Sequence, residues 1–167
     1  MHGDVFVSEN DKKKSLTKNL TNSSSREKDV TWLNDSTVIF SSDKNGQYDL
    51  FMVNSGDKNE GDLVKTLKYS TTQLTKDALD ERRAQVSPDG KQMVYIKGGN
   101  FGNKELIVVD INEKGKFSKS RVLQKGWSDK DGVAWSPDSK WLAFTMEDLN
   151  FNTEVVCTVC IRSRRGN

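Results

Sequence analysis

Apolar residues in this chain come in short runs bounded by turn-forming residues, with no stretch at the three-to-four-residue spacing of an amphipathic helix. Asp4-Val5-Phe6-Val7, Asp49-Leu50-Phe51-Met52-Val53, Glu105-Leu106-Ile107-Val108-Val109 and Glu154-Val155-Val156 each set an acidic residue ahead of a β-prone run. A second set is Val30-Thr31-Trp32-Leu33-Asn34-Asp35-Ser36-Thr37-Val38-Ile39-Phe40, Ala84-Gln85-Val86-Ser87-Pro88-Asp89-Gly90 through Tyr95, and Val133-Ala134-Trp135-Ser136-Pro137-Asp138-Ser139 through Phe144. Leu20-Thr21, Leu74-Thr75 and, more faintly, Leu123-Gln124 make a third.

The three sets drift together. Trp32 to Val86 is 54 residues and Val86 to Trp135 is 49, and Leu20 to Leu74 to Leu123 repeats the same two spacings. One unit with variable loops therefore recurs, at the interval of about 50 residues typical of propellers and solenoids. Each unit reads as four short strands. The first ends at the Trp32, Val86 or Trp135 position, and the Ser-Pro-Asp-Gly type sequence after it is turn chemistry. The second covers 37–42, 92–96 or 141–145, and Asn45-Gly46 or Gly98-Gly99-Asn100 marks the next reversal. The acid-led run is the third strand, and the fourth carries the Leu-Thr ending.

Four-stranded sheets repeated at this interval predict an all-β fold, a β-propeller of antiparallel blades. The sequence resembles the TolB-like, WD-related propeller repeats, marked by W-S-P-D-G, an aromatic six residues after the Asp, and an acid-led third strand. Trp135-Ser136-Pro137-Asp138-Ser139 through Phe144 matches with Ser139 in place of Gly. Val86-Ser87-Pro88-Asp89-Gly90 through Tyr95 lacks the Trp, and the first copy keeps Trp32 and Asp35 without the Pro. The spacing and the long charged loop at 54–68 are most similar to the propellers of bacterial tricorn-like serine peptidases.

The propeller segment is expected over 1–160, with blade parts at 3–21, 29–75, 83–124 and 133–160 and an irregular tail at 161–167. That makes two full blades and two incomplete ones, and the chain reads as an internal piece of a longer protein. Open sheet edges invite self-association.

Composition changes the picture little. The apolar fraction of 34% and charged fraction of 30% suit short strands with wide polar loops, and no apolar run is long enough to span a membrane. Lys and Arg total 26 against 24 Asp and Glu, so no electrostatic footprint for nucleic acid is expected. Lys12-Lys13-Lys14 reads as a solvated turn. Residues 1–156 hold no cysteine, which is compatible with export without establishing it; a periplasmic or exported protein is slightly favoured over a cytoplasmic one. Cys157 and Cys160 form a Cys-x-x-Cys in a tail that breaks the repeat. Zinc would need two further ligands, and the single histidine, His2, lies at the other end. The tail reads as a truncation or reading-frame artefact, so no metal site and no cofactor are expected.

No catalytic residues are assigned within the chain. Ser87 and Ser136 sit in repeated turns, which argues for a structural role. Asp80 and Glu81 beside Arg82 and Arg83 read as surface ion pairs, and Asp129-Lys130-Asp131-Gly132 as a simple turn. The resemblance implies an accessory propeller that binds or gates peptide or protein substrates for a separate serine peptidase domain. The alternative is a TolB-type interaction propeller without a peptidase. Loops joining second to third strands, and one blade to the next, gather on one face. There Arg82, Arg83, Phe101, Trp127 and Phe151 are the side chains best suited to grip a peptide, through forked donors and aromatic area.

Overall fold

A computed structural model describes residues 3–10, 15–99, 102–112, 115–147 and 153–159, with only the backbone described at 147 and 153–159. Strands β1 (Phe6–Ser8) and β2 (Thr17–Asn19) form a two-stranded sheet. A full blade follows from β3 (Glu27–Asn34), β4 (Thr37–Ser42), β5 (Asp49–Ser55) and β6 (Tyr69–Gln73). The next comprises β7 (Glu81–Val86), β8 (Gln92–Lys97), β9 (Lys104–Ile111) and β10 (Phe117–Gly126). β11 (Lys130–Trp135), β12 (Trp141–Glu147) and β13 (Thr153–Val159) make a three-stranded sheet. Neighbouring strands pair antiparallel in chain order, and the described residues contain no helix. The chain is thus all-β, a partial propeller of two full blades flanked by two incomplete ones.

Blades stack because their middle strands are apolar on both faces. Every residue of β4 is buried, and successive side chains go to opposite sides of the sheet. Val38 and Phe40 pack with Val5, Val7 and Leu20 of the first sheet, whereas Ile39 packs with Met93, Tyr95 and Ile107 of the next blade. β8 repeats the arrangement: Met93 and Tyr95 face backwards, while Val94 and Ile96 meet Leu142 and Phe144. A continuous apolar run in a short strand is therefore the signature of a sheet covered on both faces.

The turn motif behaves as its residues require. Ser87 Oγ donates to Asp89 Oδ1 at 2.7 Å and accepts the Gln92 N–H at 3.0 Å, while Gly90 takes φ +67°. Ser136 and Asp138 repeat this at 2.7 Å. Ser139 holds the left-handed position of Gly90 with φ +60°, and its Oγ accepts the Asp89 N–H of the preceding blade at 3.0 Å. A bond between blades thus accompanies the departure from Gly.

The Leu-Thr ending has an equally local cause. Beyond β6 the Leu74 N–H still donates to Leu50 O at 2.8 Å, and Thr75 Oγ1 accepts the Leu50 N–H at 2.9 Å in place of a backbone carbonyl. Thr21 does the same for the Val5 N–H at 3.1 Å. Each hydroxyl also meets a carboxylate opening the next blade: Thr21 Oγ1 donates to Glu27 Oε2 at 2.5 Å, and Thr75 bonds Glu81. At the third interface the equivalent residues are Gln124 and Lys130, which inverts the charge. The 54–68 segment also differs from a merely charged loop. Leu63 and Val64 enter the core, and Leu63 O accepts the Tyr69 hydroxyl at 2.8 Å.

Candidate functional site

The first strands β3, β7 and β11 lie side by side on the inner edge of the blades, and each carries the same irregularity. Lys28 pairs Ser41 and Thr31 pairs Ile39, which leaves Asp29 and Val30 opposite Phe40 alone. In β7, Arg83 and Ala84 face Tyr95; in β11, Gly132 and Val133 face Phe144. These are β-bulges, and the repeated aromatic of the turn motif is the residue opposite each one. Asp29, Arg83 and Gly132 take φ of +56°, +56° and +54°. A left-handed residue other than Gly costs roughly 1–2 kcal/mol, so the Arg83 backbone is held there by its surroundings.

Those surroundings are polar. The Arg83 N–H donates to Asp29 Oδ2 at 3.1 Å, and the guanidinium reaches forward to Lys130 O at 2.9 Å and Asp131 Oδ1 at 3.1 Å. One residue thereby staples three first strands. Residues 29–31, 83–86 and 131–133 line a groove of about 390 Å³ across them.

A second cleft of about 210 Å³ lies beside it, lined by Arg82, Arg83, Ile96, Gly98, Gly99, Lys104 and Asp129. Each of its cations arrives paired: Arg82 with Asp80, Arg83 with Asp131, Lys104 with Asp129. The Lys104 ammonium holds the Asp129 carboxyl below the usual carboxylate range, chiefly by hydrogen bonding. Arg82 also lies 4.8 Å from the centre of the Tyr48 ring, which Lys28 approaches at 4.0 Å. Gly98, at φ +154°, allows the close turn: a Cβ there would stand 2.9 Å from Lys104 Cγ and 3.1 Å from Asn103 O. Below the cleft, Lys130 is fully buried and donates from Nζ to Ser128 O at 2.8 Å and Gly126 O at 3.2 Å. Burial first, and the Lys104 charge second, push its ammonium pKa down.

Two further carboxylates are buried where the blades meet. Asp49 accepts from Asn45 at 3.4 Å and Gln73 at 2.9 Å through Oδ2, while its Oδ1 has no partner among the described residues. Glu81, 3% exposed, likewise has an Oε2 with no partner among the described residues, and burial pushes its carboxyl pKa up. Glu81 is therefore no surface ion-pair residue. The preceding blade covers it, and only its neighbour Asp80 pairs with Arg82.

Of the side chains singled out from sequence, Arg82 and Arg83 come together in one cleft, but on strand β7 rather than on a loop. Trp127 is 47% exposed between β10 and β11 and lines neither cavity. Phe101 and Phe151 lie outside the described residues, as do Lys12-Lys13-Lys14, His2 and Cys160. The hydroxyls of Ser87 and Ser136 are committed to Asp89 and Asp138 of their own turns. Among the described residues no three His, Cys, Asp or Glu side chains gather as metal ligands.

Sequence reading missed Asp29, Tyr48, Lys104, Asp129 and the burial of Lys130. A signal existed for Asp29: it lies 54 residues before Arg83, and Gly132 lies 49 after it, the same drift that the apolar markers show. Glu27, Glu81 and Lys130 share that spacing.

No family model and no curated protein sequence matches this chain. Solved structures do. A puromycin-hydrolysing peptidase of Mycobacterium tuberculosis superposes with a TM-score of 0.64 at 9% identity, over 97% of this chain and 31% of that one. A puromycin hydrolase gives 0.57 at 19% identity, over 84% of this chain and 25% of its own. TolB from Acinetobacter baumannii gives 0.55 at 14% identity, over 90% of this chain and 39% of its own. The chain thus spans well under half the length of each of these solved proteins. At such identities the likeness is one of fold, and it agrees with the strand order and the stacked blades: the chain is a partial β-propeller of the kind that TolB and puromycin-hydrolysing peptidases contain.

Proposed function

We propose that this chain is a non-catalytic propeller module that binds or gates peptide or protein substrates for a serine peptidase of the tricorn-like kind. The observation that carries the reading is the cleft at Arg82, Arg83, Gly98, Gly99 and Lys104, continuous through Arg83 with the groove over the first strands. Its donors are pre-oriented by ion pairs, and a guanidinium so held loses little entropy when it exchanges one carboxylate for another. Peptide backbone and side chains are ligands that such a surface recognises. Likeness to peptidases that hydrolyse puromycin supports the placement of the module beside a peptidase.

A TolB-type interaction propeller without a peptidase is the second reading, favoured by the likeness to TolB. Self-association belongs to both. Trp135 donates its Nε1–H to Gln85 O of the preceding blade at 3.1 Å, whereas its counterpart Trp32 is 50% exposed. A further first strand from another blade or another copy would cover it.

Fluorescein-labelled peptides of mixed sequence, titrated with the protein and followed by anisotropy, test the binding function. Saturable binding that Gly98→Ala weakens is expected. Absence of saturable binding to any of them would sink the proposal. A serine-directed fluorophosphonate probe, applied to the product of the complete gene, then separates the two readings.

A further inference from the structure

The groove over β3, β7 and β11 differs in charge from the cleft beside it. Arg83 is neutralised by Asp131 at 3.1 Å, and its guanidinium also donates to the Lys130 carbonyl at 2.9 Å. Asp29 has no such counterpart: among the described residues it accepts the Arg83 backbone N–H at 3.1 Å and forms no ion pair. One uncompensated negative charge therefore stands at the β3 end of a groove of about 390 Å³. Along its floor run three bulges, where two residues oppose one and backbone groups leave the regular ladder. An Arg in the left-handed region is a backbone outlier, and such outliers collect at binding sites. A cleft of this volume lies within the range of about 300–1,000 Å³ that holds small ligands.

We propose that this groove is a subsite for the cationic side chain of an extended peptide, with the Asp29 carboxylate as its counter-charge and the bulged backbone as its polar floor. The inference rests on the peptide-binding reading above and adds the chemistry of what is preferred. A Lys or Arg side chain supplies the charge that Asp29 lacks, while the Arg83 and Gly132 N–H groups stay bonded to the carboxylates of Asp29 and Asp131. A free carboxylate in the same place would oppose Asp29.

Asp29→Asn separates charge from structure. The amide oxygen still accepts the Arg83 N–H, and Asn tolerates left-handed backbone. The probes are three labelled alanine pentapeptides, blocked at both ends, with lysine, alanine or glutamate at the centre. For the unaltered protein the lysine peptide is expected to bind about tenfold more tightly than the alanine one, the glutamate peptide more weakly than either, and the difference to shrink with salt. In Asp29→Asn the lysine and alanine peptides should bind alike. Amide resonances of Arg83 and Gly132 should shift on titration with the lysine peptide. Equal binding of all three peptides, or a lysine preference that survives in Asp29→Asn, overturns the subsite. If peptides bind without charge preference and the shifts centre on Gly98, Gly99 and Lys104, the subsite falls while peptide binding stands. If no peptide binds saturably, both fall.

Discussion

Replacing Thr75 by Val tests how the blades are joined. The side chains match in shape, so the change removes one oxygen and its hydrogen with little change in packing. Two bonds are lost. The Leu50 N–H, on a residue with no exposure, loses its acceptor at 2.9 Å, and the Glu81 carboxyl loses a donor. An orphaned buried N–H costs about 1–3 kcal/mol, and a bond to a charged group is worth about 1.5–3 kcal/mol. Thr75 is itself only half-buried, so water reaches part of the gap and the lower half of each range applies. With Glu81 ionised the expected loss is about 2.5–4 kcal/mol, which for a domain of this size lowers Tm by about 2–4 °C per kcal/mol. The Glu81 part exists only while Glu81 is ionised. Thr75 favours the ionised form, so its removal raises the folded pKa further, and the penalty shrinks to about 1–2 kcal/mol in acid. Thr75→Ser keeps the oxygen and should cost about 1 kcal/mol for the lost methyl. Urea unfolding of the three proteins at about pH 4 and about pH 8 measures all of this. A Thr75→Val protein within about 0.5 kcal/mol of the parent at both pH values, or one no worse than Thr75→Ser, would refute the ladder role.

The same interface predicts a stabilising change. Burial raises the folded pKa of Glu81, so its contribution to stability is full below the ordinary glutamate range and is lost as pH rises through the raised value. Glu81→Gln should therefore match the parent in acid and exceed it at neutral pH; a mutant less stable than the parent at neutral pH contradicts this. Gly98→Ala forces a Cβ to within 2.9 Å of Lys104 Cγ at φ +154° and should lower stability by more than about 1 kcal/mol, read by thermal melting. Leu106, fully buried between the second full blade and the last sheet, should cost about 2–5 kcal/mol when changed to Ala, and a loss under 1 kcal/mol would argue against that packing. Trp135→Phe removes the Nε1–H that bonds Gln85 O at 3.1 Å while keeping an aromatic body, for an expected loss of about 1 kcal/mol in urea unfolding.

What was legible from sequence is what repeats. The drift of 54 and 49 residues located the strands and the Ser-Pro-Asp-Gly chemistry located the turns, whereas the cover on both faces of β4 and β8 came only with the stacked blades. The motif aromatic was visible as Tyr95 and Phe144, but its place opposite a bulge was not. A bulge adds a residue to one strand, so alternation along β3, β7 and β11 ceases to say which side each residue faces. Arg83 therefore read as a loop side chain, whereas it is a strained strand residue that ties three blades.

Sequence alone thus determined the all-β class, the four-stranded repeat and the turn chemistry, because these depend on neighbours within a few tens of residues. Only the tertiary structure decided that Glu81 and Lys130 are buried, that Leu63 and Val64 anchor a charged loop, and that Asp29 stands in a groove without a cation among the described residues. Each of those facts depends on what the adjacent blade places against a side chain. Residues about 50 positions apart meet there through loops whose lengths carry no record of the contact.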